Sequence, residues 1–99
     1  QGKYDEAKPL YERAIAICEK TLGPEHPHLA IWLNNLARLL YKQCRHREAL
    51  PLINRCVRIF EKALPADHPH LKSSKAFQTH LQALIAQHQA SPRRFEILQ

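Results

Sequence analysis

Gly23-Pro24-Glu25-His26-Pro27-His28-Leu29 returns further along the chain as Pro65-Ala66-Asp67-His68-Pro69-His70-Leu71, a shift of 42 residues. The same shift carries Glu6-Ala7 onto Glu48-Ala49 and Pro9-Leu10 onto Pro51-Leu52. It also carries Arg13 onto Arg55, Ile17 onto Ile59, Glu19-Lys20 onto Glu61-Lys62 and Leu22 onto Leu64. Coincidence does not place so many matches at one offset. A fixed period of this size is the signature of a solenoid, in which each unit buries its apolar faces against its neighbours.

Each period divides into two helical patterns. Leu29, Leu33, Leu36, Ala37 and Leu40 recur at three- and four-residue intervals, with Trp32 and Leu39 forming a second stripe beside them. An amphipathic helix has one apolar stripe, and a helix with two is sandwiched between neighbours. Ala49, Ile53, Cys56 and Phe60 make the next stripe, with Leu52, Val57, Ile59 and Ala63 nearby. Ala7, Leu10, Tyr11, Ala14, Ile17 and Cys18 repeat that pattern in the first segment. Pro24, Pro27, Pro65 and Pro69 punctuate the chain, because proline cannot donate in a helix interior but suits a first turn. Pro9 and Pro51 are placed near helix starts for the same reason. The pattern predicts an all-α chain of about four antiparallel helices, over 4–22, 27–42, 46–63 and 68–89, with 1–90 as the folded unit. A tail over 91–99, broken at Pro92, is expected to follow.

Composition narrows the function. The chain has 99 residues, 44% of them hydrophobic, and a net charge of +6 with histidine neutral. That is one small folded domain. No apolar run approaches the roughly 18 residues that span a bilayer. With no methionine anywhere, the sequence is expected to be a piece of a longer protein. Cys18, Cys44 and Cys56 lack metal-type spacing, lie in or beside helical patterns, and read as small hydrophobes in a reducing compartment. The His-Pro-His pairs, His26/His28 and His68/His70, invite a zinc reading, yet no cysteine or carboxylate set completes a tetrahedral site and His80 and His88 stand two turns apart. No metal and no cofactor are expected. No glycine-rich phosphate loop, nucleophile–base pair or convincing carboxylate pair is present, so an enzyme is not expected.

Leu33-Asn34-Asn35-Leu36-Ala37-Arg38-Leu39-Leu40, Glu48-Ala49-Leu50-Pro51-Leu52 and Leu22-Gly23-Pro24-Glu25-His26-Pro27 resemble tetratricopeptide repeats, over about residues 1–72. The closer likeness is to the 42-residue kind found in kinesin light chains and nephrocystin-like proteins. The resemblance implies an α-α superhelix, with Ala37, Ala49 and Cys56 at close helix crossings. Cys44 stands where that pattern usually has glycine, and His46 where it often has an aromatic. The resemblance also implies a cytoplasmic scaffold or adaptor with no enzymatic activity. Its groove positions fall on Ile31, Asn34, Asn35, Arg38 and Lys42, with Ser73, Ala76, Phe77 and His80 one repeat later. Asparagine amides both donate and accept, which suits a peptide backbone, and the two cations suit an acidic peptide.

Three further expectations follow from the pattern. The 42-residue shift turns Leu33, Leu36, Ala37 and Leu40 into Lys75, Gln78, Thr79 and Gln82, so the last helix should cap the solenoid with a polar outer face, while Phe77, Leu81, Leu84 and Ile85 pack backward. The first segment reads as the second helix of a repeat whose first helix is missing. Its stripe Ala7, Tyr11, Ala14 and Cys18 is therefore expected to be exposed and to drive homo-oligomer formation. The competing function is a basic nucleic-acid-binding repeat, through Arg38, Lys42, Arg45, Arg47, Arg55 and Arg58 with Arg93 and Arg94 in the tail. Those charges lie on two helices and a turn, without interleaved aromatics for base stacking.

Overall fold

Helix starts are set by the repeated His-Pro-His motif. In the computed structural model, which describes the backbone of residues 2–98 and the side chains of residues 3–87, His26 Nδ1 accepts the His28 backbone N–H at 3.1 Å. His68 Nδ1 accepts the His70 N–H at the same distance. Each imidazole thus satisfies one of the four donors that a helix leaves unpaired at its N-terminus, and Pro27 or Pro69 follows where no donor is needed. The four helices are α1 (Gly2–Thr21), α2 (Pro27–Lys42), α3 (His46–Ala63) and α4 (Pro69–Leu98).

The turns show three solutions to ending a helix. Gly23, at φ +100°, closes α1 in a left-handed conformation, and its N–H returns to the Cys18 carbonyl at 3.2 Å. Pro65 occupies the equivalent place after α3, so that helix ends instead at Leu64 with an extended backbone. Cys44, at φ 61°, does glycine's work between α2 and α3, and the Arg45 N–H reaches the Leu40 carbonyl at 2.9 Å. A side chain in that region costs roughly 1–2 kcal/mol. This is where the expected departure at Cys44 shows its effect.

Helices pack in chain order, α1 on α2, α2 on α3 and α3 on α4. Short turns make successive helices antiparallel, as in any αα-hairpin. The core runs through the middle of the stack: Leu29, Ala30, Leu33, Leu36, Ala37 and Leu40 of α2 meet Ala49, Ile53, Cys56, Val57, Ile59 and Phe60 of α3. Ala30, Ala37 and Ala49 are completely buried, and so small a side chain lets backbones approach closely.

α4 presents the face that the repeat shift predicts. Leu71, Phe77 and Leu81 are buried with Ser74, whose hydroxyl donates to the His70 carbonyl. Lys75, Thr79 and Gln82 are exposed, and Lys75 pairs with Glu61 at 3.3 Å. Gln78 is half-buried because its amide reaches back to Asn54 Oδ1 at 2.8 Å.

Three expectations are corrected. α4 does not stop before a tail at Pro92 but continues to Leu98; a proline forfeits one backbone bond and kinks a helix without having to end it. Pro9 and Pro51 lie inside α1 and α3 rather than in their first turns. Both are exposed, so the carbonyl that loses its donor faces water.

The third correction concerns α1. The stripe Ala7, Tyr11, Ala14 and Cys18 is not an open face: Cys18 is buried, and the other three are half-buried. Tyr11 packs its ring 5.8 Å from Trp32 of α2, while Ile15 is buried between them in sequence. α2 packs on Tyr11, and Ala7 and Cys18 join the same core, so association through this stripe would require α2 to leave.

Candidate peptide groove

α2 and α4 are equivalent under the 42-residue shift, and both pack on α3. Between them lies a cleft of about 230 Å³, lined by Ile31, Asn34 and Asn35 of α2, Phe60 of α3, and His70, Ser73 and Ser74 of α4. Three of the five expected groove residues are therefore brought together. Ile31 is an exposed aliphatic at 38%, while Asn34 and Asn35 are half-buried. Asn34 Oδ1 is buried with no hydrogen-bond partner. Leaving such an acceptor unpaired costs about 1–3 kcal/mol.

Arg38 sits one turn further along α2, half-buried. Its guanidinium lies 4.4 Å over the Phe77 ring and donates to Ser73 Oγ at 3.5 Å. This cation–π contact ties α2 to α4 across the groove floor, so Arg38 serves packing as well as charge. Lys42 is exposed at the end of α2. Of the corresponding α4 positions, Ser73 borders the cleft, Phe77 is buried beneath Arg38, and Ala76 and His80 are exposed.

Sequence reasoning missed the aromatic latch beside this floor. Tyr41 Oη lies 3.1 Å from His80 Nε2, and its ring meets Phe77 edge-on at 5.4 Å. His70, which stacks on Phe60 at 5.9 Å, was likewise outside the expected set. The only available signal was the shift itself, which places His70 level with His28 and His80 level with Arg38.

The basic residues do not form one stripe. Arg55 pairs with Glu19 at 2.7 Å, and Arg45 with Glu48 at 2.6 Å. That pair's hydrogen bonding holds the Glu48 carboxyl below its ordinary range and the Arg45 guanidinium above its own. Carboxylates are thus interleaved with the cations on which a nucleic-acid reading depends. Arg58 is exposed on α3; the side chains of Arg93, Arg94 and His88 lie outside the described residues. Among the described residues no group of three or more His, Cys, Asp or Glu is placed to hold a metal ion, and no helix is long and apolar enough to cross a membrane.

All three cysteines are unpaired thiols, with Cys18 and Cys56 buried and Cys44 exposed. Burial pushes the Cys56 thiol up to about 11, so it stays protonated and inert at neutral pH. A larger cleft, about 690 Å³, opens where the α2–α3 turn meets the far part of α4, between Cys44–Glu48 and Leu84, Ile85 and Gln87. It contains none of the expected groove residues.

No curated protein matches the chain by sequence. The family model described as tetratricopeptide repeat matches residues 1–62, well over half of the chain. Repeats of this family generally mediate protein–protein interaction. Paired helices in chain order, alanines at their crossings and a groove between equivalent helices all agree with that match, and the chain belongs to the tetratricopeptide repeat family.

Proposed function

We propose that the groove between α2 and α4 binds an extended peptide segment of a partner protein, and that the chain is part of a non-enzymatic scaffold or adaptor in the cytoplasm. The observation that carries this reading is the cleft itself. It sets an unpaired amide acceptor on Asn34, a second amide on Asn35 and an aliphatic edge on Ile31 opposite Ser73. An extended peptide has unpaired backbone donors and acceptors at a regular spacing, and a donor placed at Asn34 Oδ1 would relieve the cost of its isolation. Lys42, with Arg38 behind it, favours a partner carrying a carboxylate at that end. The 42-residue period supports the kinesin-light-chain-like kind of repeat, and with it a role in cargo or complex assembly.

The test is a fluorescence-anisotropy titration with acidic peptides, run beside a generic oligonucleotide. Asn34→Ala is expected to weaken peptide binding by up to about tenfold, the equivalent of one hydrogen bond at about 1 kcal/mol or slightly more. Arg38→Glu should weaken it further, because it reverses charge and breaks the contact with Phe77. Tight oligonucleotide binding that ignores Asn34, with no peptide bound, would replace this reading with the nucleic-acid one.

A further inference from the structure

The two helices that flank the groove, α2 and α4, begin in the same way. Each starts on His-Pro-His, and in each the first imidazole accepts the backbone N–H of the second histidine through Nδ1, at 3.1 Å. The side chain is what serves that donor. Pro27 and Pro69 bring no N–H of their own. The Leu29 N–H already reaches the His26 carbonyl at 2.9 Å, and the Lys72 N–H reaches the His68 carbonyl at 3.0 Å. The usual capping side chains, those of asparagine, serine and threonine, keep their acceptor at any pH near neutral. Histidine does not, because Nδ1 accepts only while it is unprotonated and the ring proton sits on Nε2.

A proton on Nδ1 works against the helix start twice. It removes the acceptor, and it sets a full positive charge where the aligned backbone N–H groups are already positive. The surroundings do not offset this. His28 stacks on His26 with ring centroids 5.2 Å apart, and His70 lies 5.0 Å from His68, so each cap faces a second imidazole that gains charge over the same pH range. The nearby carboxylates are largely engaged. At the end of α1, beside Lys20, Glu19 is held by Arg55 of α3 at 2.7 Å. Glu25 is held by Lys62 of α3 at 3.0 Å, and Glu61 of α3 pairs with Lys75 of α4 at 3.3 Å. Asp67, next to His68, is exposed, where salt and solvent screen its pull on a charged ring.

We infer that the two His-Pro-His starts form a paired, acid-sensitive clasp. At neutral pH they hold the first turns of α2 and α4, and acidification releases both together. The cap bond exists only for the neutral rings of the folded chain, so the unfolded state binds more protons and stability rises with pH. The contribution is therefore present at neutral pH and lost as pH falls through the range in which histidine gains its proton. Because the released turn of α4 includes His70, which lines the groove, the clasp ties the shape of that cleft to pH. The inference stands apart from peptide binding, since it concerns the helix starts of the unliganded chain.

The test compares the full 99-residue chain with the double variant His26→Asn/His68→Asn. Asparagine caps a helix well and does not titrate. Of the seven histidines the other five are common to both proteins, so their titration cancels in the comparison. Between about pH 7.5 and about pH 5.5 the melting temperature of the parent chain should fall at least about 5 °C further than that of the variant. In the parent, imidazole nitrogen NMR shifts should show His26 and His68 as the Nε2–H tautomer at the higher pH. The backbone amide resonances of His28 and His70 should move as the ring before each gains its proton. Equal losses of melting temperature, a ring carrying its neutral-pH proton on Nδ1, or amides that stay still through the titration would each overturn the inference. The NMR arm uses the parent chain alone, so it decides the matter even where the double variant folds poorly.

Discussion

α1 and α3 carry the same pattern of residues and live in different surroundings. Ile17 and Ile59 are the same amino acid at the same register, yet one is more than half exposed and the other almost fully buried. Burial in this chain is thus a property of the neighbouring helix and not of the residue. In a solenoid each unit is finished by the next, so interface terms weigh as much as the intrinsic stability of a repeat.

The sharpest way to break this comparison is to truncate the matched pair. Ile59→Ala should destabilise the chain by about 2–5 kcal/mol through lost burial and a residual cavity. Ile17→Ala should stay within about 0.5 kcal/mol, as surface changes do. Urea denaturation of the two variants checks the difference, and equal losses would contradict it.

A smaller effect separates the two helix ends. Gly23→Ala forces a side chain into φ +100°, although a Cβ there would meet nothing within 4 Å. The cost, about 1–2 kcal/mol, is therefore backbone strain alone. Pro65, its counterpart, has no such demand, and Pro65→Ala should cost less than Gly23→Ala in the same melts.

Smaller again is the change in the turn between α2 and α3. Cys44→Gly relieves the left-handed strain at φ 61° but gives the unfolded chain more freedom, for a net gain of about 0.5–1 kcal/mol. The same three thiols also report on packing. Cys44 should react quickly with a thiol reagent in the native state, while Cys18 and Cys56, buried between helices, should react only on unfolding.

How much of this was legible in the sequence depended on how local the cause was. The starts of α2 and α3 matched expectation because proline spacing and a three-residue turn act over a few positions. The far end of α4 did not, since proline weakens a helix without dictating its end. On α1 the sequence displays two apolar stripes and no sign of which one lacks a cover. Choosing Ala7, Tyr11, Ala14 and Cys18 over Leu10 and Ile17 required knowing on which side α2 lies. Ile31, Asn34 and Asn35 share one face of α2 by the helical period, and the three line the same cleft. The contacts of Arg38 with Phe77 and of Tyr41 with His80 join residues 39 positions apart. No periodicity announces a specific pair across that distance.

Hydroxyl-radical footprinting of the native chain measures the central comparison directly, because aliphatic side chains are oxidised in proportion to their exposure to solvent. Leu10 and Ile17 should be labelled several times faster than Leu52 and Ile59. Equal labelling of the two pairs, or protection of Ile17 with Ile59 exposed, would contradict the claim that the neighbouring helix decides which of these matched faces is buried.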